Sequence, residues 1–165
     1  MKGSPITPPT NEAARLLGYF SLAAVAVSLL LIVFYYPKLP ASIPTHFDPL
    51  GRPDAYGSKH MLLLLFGIQG AVYFGLSHLH RHPGKFNYPV KVTEANASEL
   101  HRLGLGLLSS LKAFTCFLFT YLIGATIATA LGWVSGLGTW FLPVFLFTLF
   151  GLIGYFYYRM MQLGK

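Results

Sequence analysis

Charged residues and cysteine are both scarce in this sequence. Asp, Glu, Lys and Arg make up 10% of its 165 residues, against about 25% in a typical soluble domain. Hydrophobic residues make up 54%, and the mean hydropathy is +0.56. Cys116 is the single cysteine, which excludes a disulfide within the chain. The composition therefore excludes an ordinary soluble globular domain, and the length leaves room for one domain.

Ionisable side chains are missing from the middle of the long apolar runs. Proton and ion transporters need such groups at membrane depth, so their absence argues against a pump. The sequence also lacks a phosphate-binding loop, a dinucleotide fingerprint, a paired-carboxylate site and a nucleophile with an adjacent base. We therefore expect a protein that is not an enzyme and that needs no cofactor.

Four apolar runs organise the chain. About 20 helical residues cross a hydrocarbon core of about 30 Å, and each run approaches or reaches that length. The sequence predicts an all-α membrane protein with four transmembrane helices at about 16–36, 61–79, 113–131 and 139–158. We expect an N-terminal cytoplasmic tail at 1–14 and a single four-helix domain at 15–165.

The distribution of Lys and Arg predicts the orientation. Nine of these cations lie at the termini and in the second loop, and three lie in the first loop. The nine are Lys2, Arg15, Arg81, Lys85, Lys91, Arg102, Lys112, Arg159 and Lys165; the three are Lys38, Arg52 and Lys59. The positive-inside rule then places both termini in the cytoplasm and the first loop outside. Because the cations flank the apolar runs, nucleic acid is not an expected partner.

Small residues indicate how the helices associate. Transmembrane helices pack closely where small side chains line one face. Gly124, Ala128 and Gly132 repeat at four-residue spacing on the third span, and Ala24 and Ser28 do so on the first. We expect these faces to hold the bundle together. The alternative is that one of them is a docking face for another subunit.

The second loop contains a further helical pattern. Thr93 is a candidate N-cap, Glu94 follows it, and leucines recur at three- and four-residue steps. The sequence predicts an amphipathic cytoplasmic helix from about Glu94 that leads into the third span. Gly104 and Gly106 indicate a bend within it.

The first loop carries the most informative segment. It has five prolines, which exclude a continuous helix, and apolar residues that could anchor it to the bundle. We expect a compact, ordered extracytoplasmic cap. The candidate binding residues of this cap are His46, Phe47, Asp54, Tyr56 and Lys59.

Two stretches resemble a known family. The first reads Tyr36-Pro37-x-Leu39-Pro40-x-x-Ile43-Pro44-x-His46-Phe47, then Gly51-x-Pro53-Asp54-x-Tyr56-Gly57-Ser58-Lys59; the second runs from Asn87 to Thr93, with Asn96. Both are similar to a bacterial membrane domain of unknown function found at the N-terminus of SdpI-type immunity proteins. The resemblance implies a multi-pass protein of the bacterial cytoplasmic membrane.

Two histidine groups raise the question of metal binding. His46, Asp48, Asp54 and His60 lie in or beside the first loop, and two histidines with a carboxylate could bind zinc if they converged. Their irregular spacing favours another reading, in which His46 and Asp54 hydrogen-bond the loop backbone. His78, His80 and His82 form a second group, which we expect to lie at the membrane interface; the alternative is that they bind a metal or a pigment. No metal site is predicted.

These observations favour a non-catalytic integral membrane protein, an accessory or structural subunit or a binding partner of a larger membrane complex. The expected partners are the lipid bilayer and another protein of that complex. One alternative is an SdpI-like peptide sensor or immunity protein. The other is a metal-dependent membrane enzyme that uses the first loop.

Overall fold

The computed structural model describes residues 12–82 and 86–164. In these residues four α-helices are long and apolar enough to span a membrane, which confirms the predicted multi-pass helical character. They are α1 (Glu12–Tyr35), α2 (Met61–Leu79), α3 (Ala97–Ala130) and α4 (Phe141–Gln162). Positions 1–11 of the predicted tail, and the cations Lys2, Lys85 and Lys165, lie outside the described residues.

The loop between α1 and α2 forms a β-hairpin, so the predicted all-α class is wrong in this segment. Strand β1 (Ser42–Phe47) pairs antiparallel with β2 (Pro53–Ser58), and Ser42 lies opposite Ser58. Prolines are compatible with this sheet because each strand has one unpaired edge, where a missing N–H costs nothing. We call the end of the bundle that carries the hairpin the hairpin end. Residues 86–91, which we call the strap, lie at the other end, and we call that end the strap end.

Helix α3 is the centre of the bundle, and α1, α2 and α4 pack against it. At the hairpin end one apolar core joins the helices to β1; its buried members are Ile32, Leu39, Ile43, Leu62, Ile123 and Ile127. At the strap end Leu100 and Leu103 of α3 pack with Met160 of α4. The hairpin therefore belongs to the same core as the helices.

A group of polar side chains, which we call the polar clasp, joins α1, α2 and α3 midway along the bundle. Gln69 Nε2 donates to Cys116 O at 3.0 Å and to Thr120 Oγ1 at 3.1 Å. Thr120 Oγ1 also lies 2.8 Å from Ser28 Oγ and 2.9 Å from Ala24 O. Among the described residues nothing donates to Gln69 Oε1, although Gln69 is fully buried. Such bonds between transmembrane helices contribute about 0.6 kcal/mol each on average.

The helix predicted from about Glu94 begins at Ala97 and is continuous with the third span, since α3 runs without interruption for 34 residues. The turn before it is held by Asn96, whose Oδ1 accepts from Thr93 N at 2.8 Å. Gly104 and Gly106 do not interrupt the helix. A Cβ at Gly104 would lie 3.0 Å from Tyr88 Oη, and one at Gly106 would lie 2.9 Å from the Phe156 ring. These glycines make room for aromatic rings.

The predicted small-residue face of α3 holds only in part. Gly124 faces α1, since a Cβ there would meet Leu31 Cδ1 at 3.6 Å, and Ala128 is half-buried in the same helix. Gly132 lies beyond the end of α3, with φ +75°, so its place on a packing face is wrong. The bonds Trp133 N to Ala128 O and Gly132 N to Thr129 O make it a helix-terminating glycine.

Candidate functional site

The base of the hairpin is fixed to the bundle by buried and polar contacts. Ile43 is 1% exposed and packs in the core at the hairpin end. Lys59 Nζ donates to Tyr36 O at 3.3 Å and to Leu39 O at 3.4 Å, and it lies 4.7 Å from the centre of the Tyr36 ring. The Tyr36 hydroxyl is 2.7 Å from His60 Nδ1. Lys59, a predicted binding residue, is thus half-buried and positions the chain.

The tip of the hairpin is fixed as well. Asp48 Oδ1 accepts hydrogen bonds from Leu50 N at 2.9 Å and from Arg52 N at 2.8 Å, which closes the turn. Gly51 O accepts a bond of 2.7 Å from the N–H of Leu137 in the loop between α3 and α4. The Tyr121 hydroxyl donates in turn to Leu137 O at 2.5 Å. The hairpin is therefore held at both ends.

Between these attachments the hairpin presents an exposed polar surface. His46 Nδ1 lies 2.6 Å from Asp54 Oδ1, and the two side chains are 69% and 45% exposed. Tyr56 is 62% exposed, while Phe47 is half-buried. The expectation that His46 and Asp54 hydrogen-bond the loop backbone is wrong: they lie on neighbouring strands and bond each other. Asp48 carries out that backbone role. We call His46, Asp54 and Tyr56 the hairpin surface.

The proposed zinc ligands do not converge. His60 follows the far end of β2, six residues from Asp54, which corresponds to roughly 20 Å along an extended chain. Within residues 12–82 and 86–164, no group of three or more His, Cys, Asp or Glu side chains could hold a metal ion. The hairpin surface therefore supplies two candidate ligands in the described chain, too few for a zinc site of three or four protein ligands.

The second histidine group lies at the strap end and makes structural contacts. His80 Nε2 is 3.1 Å from Ser109 Oγ of α3, and His82 Nδ1 is 3.1 Å from His78 O. Burial, and secondarily the charge of Lys112, lower the pKa of His80 below its ordinary value. The neutral form of His80 is therefore favoured in the folded protein.

Sequence reasoning missed the two features that hold the tip. The segment from Asp48 to Gly51 has the Asp, Pro and Gly composition of a tight turn, a local signal that could have indicated the hairpin. The bond between Gly51 and Leu137 had no such signal, because it joins residues 86 positions apart.

A comparison with protein families matches the segment that contains the hairpin. Residues 23–70 match the model of the Domain of unknown function (DUF1648), which supports a membrane domain of unknown function here. An uncharacterized protein of Archaeoglobus fulgidus is 33% identical over 89 residues, covering 49% of each chain. The chain thus spans about half the length of this curated relative. No solved structure matches the present chain. The part similar to an uncharacterised membrane domain thus contains the hairpin and portions of α1 and α2.

Proposed function

We propose that this protein is a non-catalytic membrane subunit that binds another polypeptide of a membrane complex through its hairpin surface. One observation carries the proposal: the hairpin is fixed at both ends, yet the side chains between these attachments make no major contact with the described part of the bundle. His46, Asp54 and Tyr56 are exposed, and their described contacts contribute little to the core. A surface that is already ordered loses less conformational entropy when a partner binds.

The chemistry of the hairpin surface suits a polypeptide partner. Tyrosine is enriched at protein interfaces and among the residues that dominate binding energy. Tyr56 supplies a large, exposed aromatic ring, and the pair of His46 and Asp54 supplies hydrogen-bonding groups beside it on the same hairpin. The partner we propose therefore has an apolar contact for the ring and polar groups for the pair.

We propose that the hairpin faces the outside and that both termini are cytoplasmic. Among the described cations, six lie toward the strap end and three lie in or beside the hairpin loop, a distribution that supports this orientation. The membrane we propose is the cytoplasmic membrane of a bacterium. Single cysteines at Ala41 and Ser98, with Cys116 replaced, test the orientation: an impermeant thiol reagent added outside should label Ala41 and not Ser98. The reverse pattern would contradict it.

A second candidate function is that of an SdpI-like peptide sensor or immunity protein. The resemblance of the hairpin segment to SdpI-type proteins supports it, and residues 23–70, which match a domain of unknown function, include the whole hairpin. In that case the hairpin surface binds a free peptide in place of a resident subunit. The metal-dependent enzyme receives no such support, since His60 lies far from His46 and Asp54.

Photo-crosslinking in native membranes tests the main proposal. A crosslinking residue at Tyr56 should give a discrete adduct with one polypeptide, and the adduct should disappear when His46→Gln and Asp54→Asn are added. The matched control is the same residue at Tyr158, since both tyrosines are 62% exposed and Tyr158 lies near the strap end. An identical set of adducts at the two positions would refute a specific surface.

A further inference from the structure

A cavity of about 620 Å³ lies at the strap end, between the end of α2 and the pair α3 and α4. Its walls are almost entirely apolar and include Leu79, Leu107, Leu111 and Ile153, together with the rings of Tyr157 and Phe86. Binding sites for small molecules have volumes of roughly 300–1,000 Å³ and mostly apolar linings. The cavity therefore has the size and the chemistry of a ligand site, and neither the hairpin nor the polar clasp takes part in it.

One side of the cavity is lined by residues 86–89 of the strap. The Tyr88 ring lies against Gly104 and 5.8 Å from the His101 ring. Asn96 Nδ2 donates to Lys91 O and to Leu163 O, both at 3.1 Å, which ties the strap to the end of α4. The cavity is thus formed by elements that are held in place.

The dimensions of the cavity favour a flexible chain over a protein helix. Its walls extend from Gly104 to Leu111 on α3 and from Ile153 to Met160 on α4, which corresponds to about 10 Å of each helix. A protein helix is about 10–12 Å wide, and the cavity is long enough for only about two of its turns before the strap is reached. A lipid acyl chain is narrower and needs no hydrogen-bond partners.

The charges around the cavity indicate the head group. Arg81 lies two residues beyond the end of α2 and Lys91 lies in the strap, and both are exposed. At this end the described chain has six cations, Arg15, Arg81, Lys91, Arg102, Lys112 and Arg159, and three acids, Glu12, Glu94 and Glu99. Glu99 is already paired with Arg102. Such an excess of basic residues attracts anionic lipid head groups.

We propose that this cavity binds an acyl chain of one anionic phospholipid, whose phosphate is attracted by Arg81 and Lys91. The proposal depends on the apolar walls and the basic end of the bundle, and it holds whichever partner the hairpin surface binds. It also holds for either orientation in the membrane.

Native mass spectrometry of the full chain tests this. The protein is purified in mild detergent and exposed to equal amounts of phosphatidylglycerol and phosphatidylcholine. The wild type should retain one molecule of phosphatidylglycerol, and this bound form should be at least tenfold more abundant than the form with phosphatidylcholine. Leu111→Trp should remove the bound lipid by filling the cavity. Leu146→Trp is the matched control, since Leu146 is 38% exposed and does not line the cavity. Arg81→Gln with Lys91→Gln should abolish the preference between the two lipids.

If Leu111→Trp fails to fold by circular dichroism, Ile153→Trp replaces it, because Ile153 is already 40% exposed. Lipid retained equally by the wild type and the cavity-filling variant would overturn the proposal. A wild type without preference for phosphatidylglycerol would also overturn it. So would a crosslinking residue at position Leu111 that captures a co-purified polypeptide in place of the lipid.

Discussion

The carbonyl oxygen of Gly51 accepts a hydrogen bond of 2.7 Å from the N–H of Leu137, and this contact attaches the tip of the hairpin to the loop between α3 and α4. The approach is close because Gly136 has no side chain: a Cβ there would lie 2.0 Å from Gly51 O. The order of the hairpin surface thus depends on a residue that lies 85 positions from Gly51 in the sequence.

Gly136→Ala should separate the hairpin tip from the bundle. The added Cβ cannot fit against Gly51 O, so the hydrogen bond to Leu137 is lost, at a cost of about 1–3 kcal/mol beyond backbone strain. The control is Gly132→Ala. Both glycines have a positive φ, +152° at Gly136 and +75° at Gly132, but a Cβ at Gly132 would meet nothing within 4 Å. We expect a larger fall in thermal stability in detergent for Gly136→Ala, with faster proteolysis within residues 48–53. Equal falls would contradict the attachment.

Thr120→Val should weaken the association of α1, α2 and α3. Valine keeps the shape of threonine but removes the hydroxyl that lies between Gln69, Ser28 and Ala24 in the polar clasp. We expect a loss of about 1–2 kcal/mol, from bonds of roughly 0.6 kcal/mol each. The measurement is thermal unfolding in detergent.

Thr129→Val is the matched control for that substitution. Thr129 is half-buried like Thr120, but its hydroxyl bonds only Ala125 O of its own helix in the described contacts. It should therefore change the stability much less. A loss as large as that of Thr120→Val would mean that the bonds between helices contribute nothing measurable.

Stability should fall as the pH is lowered through the range of His80. Burial lowers the pKa of His80 in the folded protein below the ordinary value of 6.5, so the unfolded chain binds more protons between the two values. The contribution to stability is therefore fully present above pH 6.5 and is lost as the pH falls toward the folded-state pKa. Thermal unfolding of the wild type and of His80→Gln at pH 5.5–7.5 checks this. An unchanged pH dependence in the variant would contradict it.

Hydropathy and length were sufficient to predict the four helices, because a membrane span requires a long apolar run. The start of α3 was harder to predict. Its first four turns contain Glu99 and Arg102, which pair with each other, and leucines that pack on α4, so the helix continues where a surface helix was expected. That pairing and packing come from tertiary contacts that the local pattern does not contain.

The hairpin was predicted only as an ordered cap. Its strands contain Pro44 and Pro53, which weaken any strand signal, and its pairing is irregular between Pro44 and Phe47. His46 and Asp54 were identified as candidates from their residue types, but their mutual contact follows from strand register. At Gly132 the sequence pattern was misleading. Its regular spacing suggested a packing face, whereas the chain needs a glycine there because φ is positive.

The central claim is that the hairpin surface binds a polypeptide, and the affinity of the chain for the polypeptide crosslinked at Tyr56 tests it most directly. We expect Tyr56→Ala to raise the dissociation constant at least about 30-fold, since interface residues that dominate binding contribute about 2 kcal/mol or more. Tyr158→Ala, with the same exposure at the other end of the bundle, should leave it unchanged. Equal dissociation constants for the wild type and Tyr56→Ala would contradict the account.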